Sequence, residues 1–193
     1  MVKSTGYKKV KTAVFISGTG SNLKSLIKFS KTDRSPISID LIVSSNPKAK
    51  GLKYGKIFKI RKKIFNFEQR NQSESKLIAT FKRYDIKMVL LAGFMKILSK
   101  NFITKFKGKI LNIHPSLLPK YKGLNTHQKA LDNKEKYSGC TVHIVNSKLD
   151  SGKIILQKKV KISKSETKNS LAKKILVQEH KLYPKAILKV FNL

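Results

Sequence analysis

Short apolar runs and longer amphipathic stretches alternate along the chain. Runs rich in Val, Ile and Leu, bounded by Gly, Pro, Asn or Ser, predict strands, and apolar residues at helical spacing predict helices. The predicted strands cover residues 10–17, 37–44, 57–60, 87–92, 110–113, 140–145 and 154–160. The predicted helices cover residues 22–30, 49–55, 73–84, 99–106, 126–131 and 165–193. Residues 61–63 are predicted to be a solvated loop, and Pro184 should kink or divide the last helix.

This alternation predicts an α/β fold with a mostly parallel twisted sheet and helices on both of its faces. The last two strands are joined by a short loop at residues 146–152, which predicts a late antiparallel hairpin. A chain of 193 residues fits one domain. We therefore expect a single domain over residues 1–193, with residues 1–9 as a flexible extension before the first strand.

A polar pair stands at the end of the apolar run 110–113. Side chains alternate across a strand, so Asn112 and His114 should share one face, and Pro115 should end the pairing. Ligands of open α/β sheets bind at the carboxyl ends of the strands. An amide can donate to an oxyanion and an imidazole can move a proton near neutral pH, which together suit acyl or formyl transfer. Taken alone, such a pair more often satisfies backbone groups at the end of a strand.

The net charge of the chain suggests a second class of function, nucleic-acid binding. The chain has 43 basic and 10 acidic residues, a net charge of +33, which is typical of nucleic-acid-binding proteins. Only four of the basic residues are arginines, and the lysines spread from Lys3 to Lys189. Arginine is the usual residue for bidentate phosphate and guanine recognition. We therefore interpret the excess as compositional bias and expect no specific nucleic-acid binding, although the field should attract anionic substrates at low salt.

Several other classes are excluded or disfavoured. No apolar run approaches the length of about 18 residues that a membrane span needs, and the basic N-terminus leads into no signal sequence. The single Cys140 excludes an internal disulfide and a multi-cysteine metal site. We expect a cytoplasmic protein that contacts no membrane.

Four segments carry a resemblance to a known family. They read ISGTGSNL from Ile16, LAGFMKIL from Leu91, NIHPSLLP from Asn112 and LDSG from Leu149. In order and spacing the set resembles the folate-dependent formyltransferases, in particular those that act on glycinamide ribonucleotide, over nearly the whole chain. The resemblance implies a Rossmann-like formyltransferase fold. It also implies transfer of formyl from the co-substrate 10-formyltetrahydrofolate to the amine of glycinamide ribonucleotide in purine biosynthesis, without a metal, by a monomer or a homodimer.

The resemblance also implies a set of site residues. The catalytic group would be Asn112, His114 and Asp150; with only ten acids in the chain, an acid at a family position is unlikely to arise by chance. The folate-binding residues would be Arg70, Met95, Lys96, Ile97, Leu98 and Asn112. The nucleotide-binding residues would be Gly20, Ser21, Asn22 and Glu179. The first three lie in a Gly-rich strand-to-helix turn of the kind that binds phosphate, although the third Gly of a dinucleotide fingerprint is missing.

Some positions depart from the family pattern or stay open. Lys96 stands where arginine is usual, and Lys122 and Asn125 stand where proline and histidine are usual, so the loop around them is expected to be looser. For His127, a local hydrogen bond and a substrate role are equally good interpretations. His143 is expected to be a half-buried structural residue of its strand.

Two alternatives remain at this point. One is another folate-dependent formyltransferase or a formyl-folate hydrolase, such as a methionyl-tRNA formyltransferase-like enzyme, although such a tRNA enzyme normally carries a further C-terminal domain and such a hydrolase a further N-terminal one. The other is a nucleic-acid-binding protein on a degenerate enzyme fold. The scattered lysines and the intact set of Asn112, His114 and Asp150 argue against the latter.

Overall fold

The computed structural model describes residues 8–193. The extension expected at residues 1–9 therefore lies almost entirely outside the described residues. Lys9 is within them, and its ammonium group donates to the carbonyls of Ser30 and Thr32, at 2.8 Å each. This lysine thus ties the start of the first strand to the end of the first helix.

Strands and helices alternate through most of the chain, as the hydrophobic pattern predicted. The strands are β1 Val10–Ile16, β2 Ile37–Ser44, β3 Arg61–Ile64, β4 Met88–Leu91, β5 Lys109–His114, β6 Tyr137–Ile144 and β7 Ile154–Lys161. The α-helices are α1 Ser21–Ser30, α2 Lys53–Ile57, α3 Arg70–Tyr84, α4 Lys100–Lys105, α5 Thr126–Asp132 and α6 Lys168–Val190. Two short 3₁₀ helices cover Lys50–Leu52 and Phe67–Gln69.

Within residues 8–193 the strands form one sheet in the order β3-β2-β1-β4-β5-β6-β7. The first five strands of this order run parallel, and β6 and β7 pair antiparallel to their neighbours. The predicted α/β class, with a mostly parallel sheet and a late antiparallel hairpin, is confirmed.

Alternation along the strands divides the apolar side chains between two cores, one on each face of the sheet. On β1, Val14 and Ile16 pack with residues of α1 and α6, whereas Ala13 and Phe15 pack with residues of α3 and α4. Strands buried on both faces read as continuous apolar runs, which is why β1, β2 and β4 were recognisable in the sequence.

The prediction was wrong at the β3 edge of the sheet. The predicted strand at 57–60 is absent, and the predicted solvated loop at 61–63 is β3 itself, Arg61–Ile64, with every residue exposed. It pairs only with β2, through its backbone. Its side chains lie in solvent, so no hydrophobic pattern marks it, and charged residues on an edge strand discourage pairing with other chains.

Helix α6 was predicted to start at residue 165 and to be kinked or divided at Pro184. It starts at Lys168 and runs without division to Val190. Residues on both sides of the proline hold the helix against the sheet: Ala186 and Ile187 are fully buried, and the Tyr183 hydroxyl lies 3.1 Å from the carbonyl oxygen of Leu91. Packing therefore outweighs the loss of one helical hydrogen bond.

The N-cap of α6 offers a test of the start of this helix. The Thr167 hydroxyl accepts a hydrogen bond from the Ser170 backbone N–H, and the Ser170 hydroxyl accepts one from the Thr167 backbone N–H. Thr167→Ala should lower the free energy of unfolding by about 1 kcal/mol, measured by urea denaturation. Ser165→Ala, which removes a hydroxyl two residues before this cap, is the matched control and should leave the free energy of unfolding unchanged. Equal losses in both variants would contradict this assignment of the cap.

Candidate active site

The predicted site residues gather where β1, β4 and β5 end side by side. Phe15 of β1 is paired with Leu91 of β4, and Leu91 is paired with Asn112 of β5. The loops that follow these strands therefore start next to one another. The β6–β7 loop also reaches this place and brings Asp150 to the end of β5.

The carboxylate of Asp150 is the centre of the catalytic group, and its side chain is only 8% exposed. Its Oδ2 accepts a hydrogen bond from the Gly123 backbone N–H at 2.9 Å and lies 3.4 Å from Nδ1 of His114. Its Oδ1 accepts from Nδ2 of Asn112 at 3.3 Å and lies 3.5 Å from Nε2 of His143. The structure thus brings together Asn112, His114 and Asp150.

The ring of His114 is buried, and its two nitrogens face different partners. Nε2 lies 2.8 Å from the carbonyl oxygen of Tyr121, which can only accept, so Nε2 carries a proton. Burial lowers the pKa of His114 and outweighs the opposing effects of the Tyr121 carbonyl and Asp150. The neutral ring is therefore favoured at neutral pH. Its Nδ1 lone pair faces Asp150 and is free to take a proton.

Asp150 is held in the ionised form. Burial opposes ionisation, but the neighbouring His143 ring, the hydrogen bond from the Gly123 backbone N–H and the nearby His114 ring outweigh it, so the pKa of Asp150 is lowered. An anionic carboxylate beside a neutral imidazole stabilises the imidazolium that forms when the ring takes a proton. The pair can therefore store a proton during a reaction.

His143 belongs to this group, although the sequence suggested a half-buried structural residue. It is 2% exposed and lies directly opposite Asn112 in the β5–β6 ladder. Its Nδ1 donates to the Ile144 carbonyl at 2.8 Å, which leaves Nε2 to accept from Nδ2 of Asn112 at 3.2 Å. The antiparallel register of the two strands was the signal that could have found it.

The predicted nucleotide residues meet at the start of α1. Gly20 has φ 74°, and a side chain there would place its Cβ 2.7 Å from Cα of Gly51, so only glycine fits this close approach. No side chain caps α1, which leaves the first backbone N–H groups of the helix open to a ligand. Nδ2 of Asn22 donates to Oε2 of Glu179 at 2.6 Å, which joins α1 to α6.

Glu179 is a buried acid with an altered pKa. Burial raises the pKa of its carboxyl group from the usual 4.5 to about 7, and the hydrogen bond from Asn22 offsets part of this effect. Oδ1 of Asn22 is buried without a hydrogen-bond partner among the described residues. The pair thus presents polar atoms that a ligand could satisfy.

An open cavity of about 940 Å³ lies between the loop that follows β4 and the start of α3. It is lined by Phe67, Glu68, Gln69, Arg70, Asn71, Gln72, Met95, Lys96 and Ile97. The structure therefore brings Arg70 to the same cavity as Met95–Ile97, whereas Asn112, also predicted to bind folate, does not line it. The side chain of Leu98 does not line it; this residue is 6% exposed and packs in the core beneath. No sequence pattern indicated that residues 67–69 form a wall of this cavity.

Lys122 and Asn125, the two positions of the loop before α5 that depart from the family pattern, lie on either side of Gly123, whose backbone N–H donates to Asp150. The ammonium group of Lys122 donates to the Ser151 hydroxyl at 2.6 Å. Asn125 takes φ 60° and precedes α5, a backbone conformation that asparagine adopts more readily than most residues. The Lys122 contact joins this loop to the loop that carries Asp150.

Nδ1 of His127 is buried without a hydrogen-bond partner among the described residues, so the local bond considered for it is not made there. Burial raises the pKa of the Cys140 thiol to about 12, so this cysteine is a poor nucleophile.

Within residues 8–193 no three or more His, Cys, Asp or Glu side chains are grouped to hold a metal ion. In the same range no helix is long and apolar enough to cross a membrane.

A covered α/β sheet with an amide, an imidazole and a carboxylate grouped at the strand ends defines an enzyme of carbonyl-group chemistry. The model of the family described as "Formyl transferase" matches residues 10–187. The chain belongs to this formyl transferase family, and the resemblance found in the sequence is confirmed.

Individual relatives agree with this family. The chain is 38% identical over 90% of its length to a phosphoribosylglycinamide formyltransferase of Escherichia coli, of which it covers 84%. It is 40% identical over 93% of its length to the trifunctional purine biosynthetic protein adenosine-3 of Homo sapiens, of which it spans 18%. The crystal structure of phosphoribosylglycinamide formyltransferase from Brucella melitensis superposes with a TM-score of 0.89 at 38% identity, over 95% of this chain and 96% of that one.

The raised pKa of Glu179 predicts a particular pH dependence of stability. Below about pH 4.5 this residue is protonated in both the folded and the unfolded chain. Between pH 4.5 and 7 only the unfolded chain ionises, so the folded state loses stability as the pH rises, up to about 3 kcal/mol. Glu179→Gln cannot ionise and should gain about this much over the native chain between pH 4.5 and 8, measured by urea denaturation. Parallel curves for the two proteins would refute the raised pKa.

Proposed function

We propose that this chain transfers the formyl group of 10-formyltetrahydrofolate to the amine of glycinamide ribonucleotide. The products are formylglycinamide ribonucleotide and tetrahydrofolate, and the reaction is a step of purine biosynthesis. The observation that carries the proposal is the buried hydrogen-bonded group of Asn112, His114 and Asp150 at the end of β5, because the phosphate-type turn and the cavity loop follow the neighbouring strands β1 and β4. The names of the similar proteins support the choice of substrates.

In this proposal the nucleotide binds at the start of α1. The phosphate accepts hydrogen bonds from the free backbone N–H groups around Gly20, Ser21 and Asn22, aided by the positive end of the helix dipole. Glu179, held by Asn22, accepts hydrogen bonds from the ribose hydroxyls. A ribose that donates to the Glu179 carboxylate would favour its ionised form and lower its pKa on binding.

The formyl donor occupies the open cavity. Its volume of about 940 Å³ suits a ligand of this size. Met95 and Ile97 are 70% and 60% exposed, so they offer apolar surface to the donor's ring system. Arg70 offers a planar fork to a carboxylate, and Lys96 offers a point charge where the family usually has a second fork.

The catalytic group promotes transfer of the formyl group from the donor to the nucleotide. When the nucleotide amine attacks the formyl carbon, negative charge develops on the formyl oxygen. Nδ2 of Asn112 makes two long hydrogen bonds, 3.2 Å to His143 and 3.3 Å to Asp150, and one N–H can turn toward this stronger acceptor. His114 takes a proton at Nδ1, Asp150 stabilises the resulting imidazolium, and the proton returns to the departing folate nitrogen.

We also propose a domain assignment, a location and an oligomeric state for the enzyme. We assign residues 1–193 to a single formyltransferase domain that works in the cytoplasm on small anionic substrates, as a monomer or a homodimer, without a metal ion. The net charge of +33 then acts on the rate of substrate encounter rather than on nucleic-acid binding.

An absorbance assay with 10-formyl-5,8-dideazafolate and glycinamide ribonucleotide, at low and moderate salt, tests the proposed reaction. We expect product only when the nucleotide is present. Loss of the formyl group without nucleotide would indicate a hydrolase instead. No turnover at either salt concentration would contradict the proposal and would call for a tRNA formylation test.

Two substitutions test the assigned roles. Asn112→Ala removes the oxyanion donor and Asp150→Ala removes the partner of the imidazolium, so each should lower kcat by about 100-fold or more while the protein still folds. Near-normal turnover in either would contradict the assignment. Asn146→Ala is the control for the Asp150 loop, because this side chain only accepts a local hydrogen bond from the Lys148 backbone. It should retain native turnover.

A further inference from the structure

The loop 93–99 forms one wall of the cavity and is anchored by two apolar side chains. Phe94 packs edge-on against Phe15 and Phe67, with ring centroids 5.2 and 5.0 Å apart. Leu98 is buried in the same core. Between them, the three residues that line the cavity point outward. Packing of Phe94 and Leu98 fixes the position of the loop. It does not fix the orientation of the peptide groups of Met95–Ile97.

The first end of the outward segment is held by Ser17. The Ser17 backbone N–H donates to the Gly93 carbonyl at 3.1 Å. The Ser17 hydroxyl oxygen accepts from the backbone N–H of Met95 at 2.9 Å, and it lies 2.7 Å from the hydroxyl oxygen of Ser45. Ser17 directly follows β1 and stands three residues before Gly20. Ser17, which leads into the phosphate-type turn at Gly20, thus also holds the loop 93–99 in place.

The second end is held by Glu74 of α3, which is 4% exposed. One carboxylate oxygen accepts from the backbone N–H of Ser99 at 2.8 Å, and the other accepts from the Ser99 hydroxyl at 2.5 Å. The Ser99 oxygen in turn accepts from the Phe102 N–H and caps α4. Because α3 begins at Arg70, one turn before Glu74, this contact fixes the loop relative to the opposite wall of the cavity.

We infer that Ser17 and Glu74 are positioning residues for the formyl donor. Neither lines the cavity, but together they hold the backbone at the two ends of Met95–Ile97, the segment that lines it. The inference rests on the proposed function, because it takes the ligand of this cavity to be the donor. It requires that loss of either contact weakens donor binding much more than it changes nucleotide binding or the chemical step.

Ser17→Ala and Ser45→Ala form a matched pair. Both remove one hydroxyl, but only the first removes the acceptor of the Met95 N–H. We expect Ser17→Ala to raise the KM for 10-formyl-5,8-dideazafolate about tenfold, the loss of one well-placed hydrogen bond, with kcat and the KM for glycinamide ribonucleotide changed less than about twofold. Amide hydrogen exchange of residues 93–98 should also become faster. Ser45→Ala should change none of these quantities.

Glu74 is tested by rescue. Glu74→Gln keeps an oxygen that accepts from the Ser99 N–H and an amide that donates to the Ser99 hydroxyl, so it should retain the native donor KM. Glu74→Ala loses both contacts and should raise the donor KM about tenfold or more. If this alanine variant fails to fold, Ser17→Ala decides the question alone.

Two results would overturn the inference. One is unchanged donor KM and hydrogen exchange in Ser17→Ala, and the other is equal changes in Ser17→Ala and Ser45→Ala. Failure of the proposed function gives a different result, since the native chain would then show no nucleotide-dependent turnover at all. In that case the exchange rates of residues 93–98 still test whether Ser17 and Glu74 hold the loop.

Discussion

The hydrogen bonding of the Asp150 carboxylate is the constraint on which the rest of the site depends. A buried anion is costly unless hydrogen-bond donors reach it, and here Nδ2 of Asn112 on β5 and the backbone N–H of Gly123 in the loop before α5 donate to it, while the rings of His114 and His143 lie 3.4 and 3.5 Å away. Both Asp150 and Tyr121, whose carbonyl holds His114, have left-handed backbones, at φ 44° and φ 55°. Such conformations cost about 1–3 kcal/mol each and persist only where the surroundings impose them. The carboxylate therefore orders two loops as well as two side chains.

The sheet explains why the two substrate regions and the catalytic group are adjacent. Because β1, β4 and β5 are neighbours and parallel, the nucleotide turn, the cavity loop and the Asn112 strand all emerge at one end. Helix α6 covers this end from one face and supplies Glu179. Helix α3 covers it from the other face and supplies Arg70. Reaction between two ligands requires this adjacency, since the reacting atoms must meet within about 3–3.5 Å.

The sequence predicted those features that have a local pattern. Buried strands and the turn at Gly20 could be recognised because burial on both faces and glycine conformations leave a signal in neighbouring residues. The resemblance to formyltransferases selected the catalytic residues, and the fold brings them together. Strand β3 was missed because only its backbone contributes to the sheet. The places of His143 and Glu74 in the site were missed because each depends on a partner distant in the chain, Asn112 and Ser99, which no local pattern encodes.

The central claim is that donor and nucleotide meet at Asn112, between the cavity and the start of α1. A crystal structure of this protein with glycinamide ribonucleotide and 10-formyl-5,8-dideazafolate bound, using Asp150→Asn to slow turnover, tests it most directly. The account predicts phosphate at the backbone N–H groups of residues 20–22, the folate ring against Met95–Ile97, and the formyl oxygen about 3 Å from Nδ2 of Asn112. A donor bound outside the cavity, or a formyl group out of reach of Asn112, would contradict it.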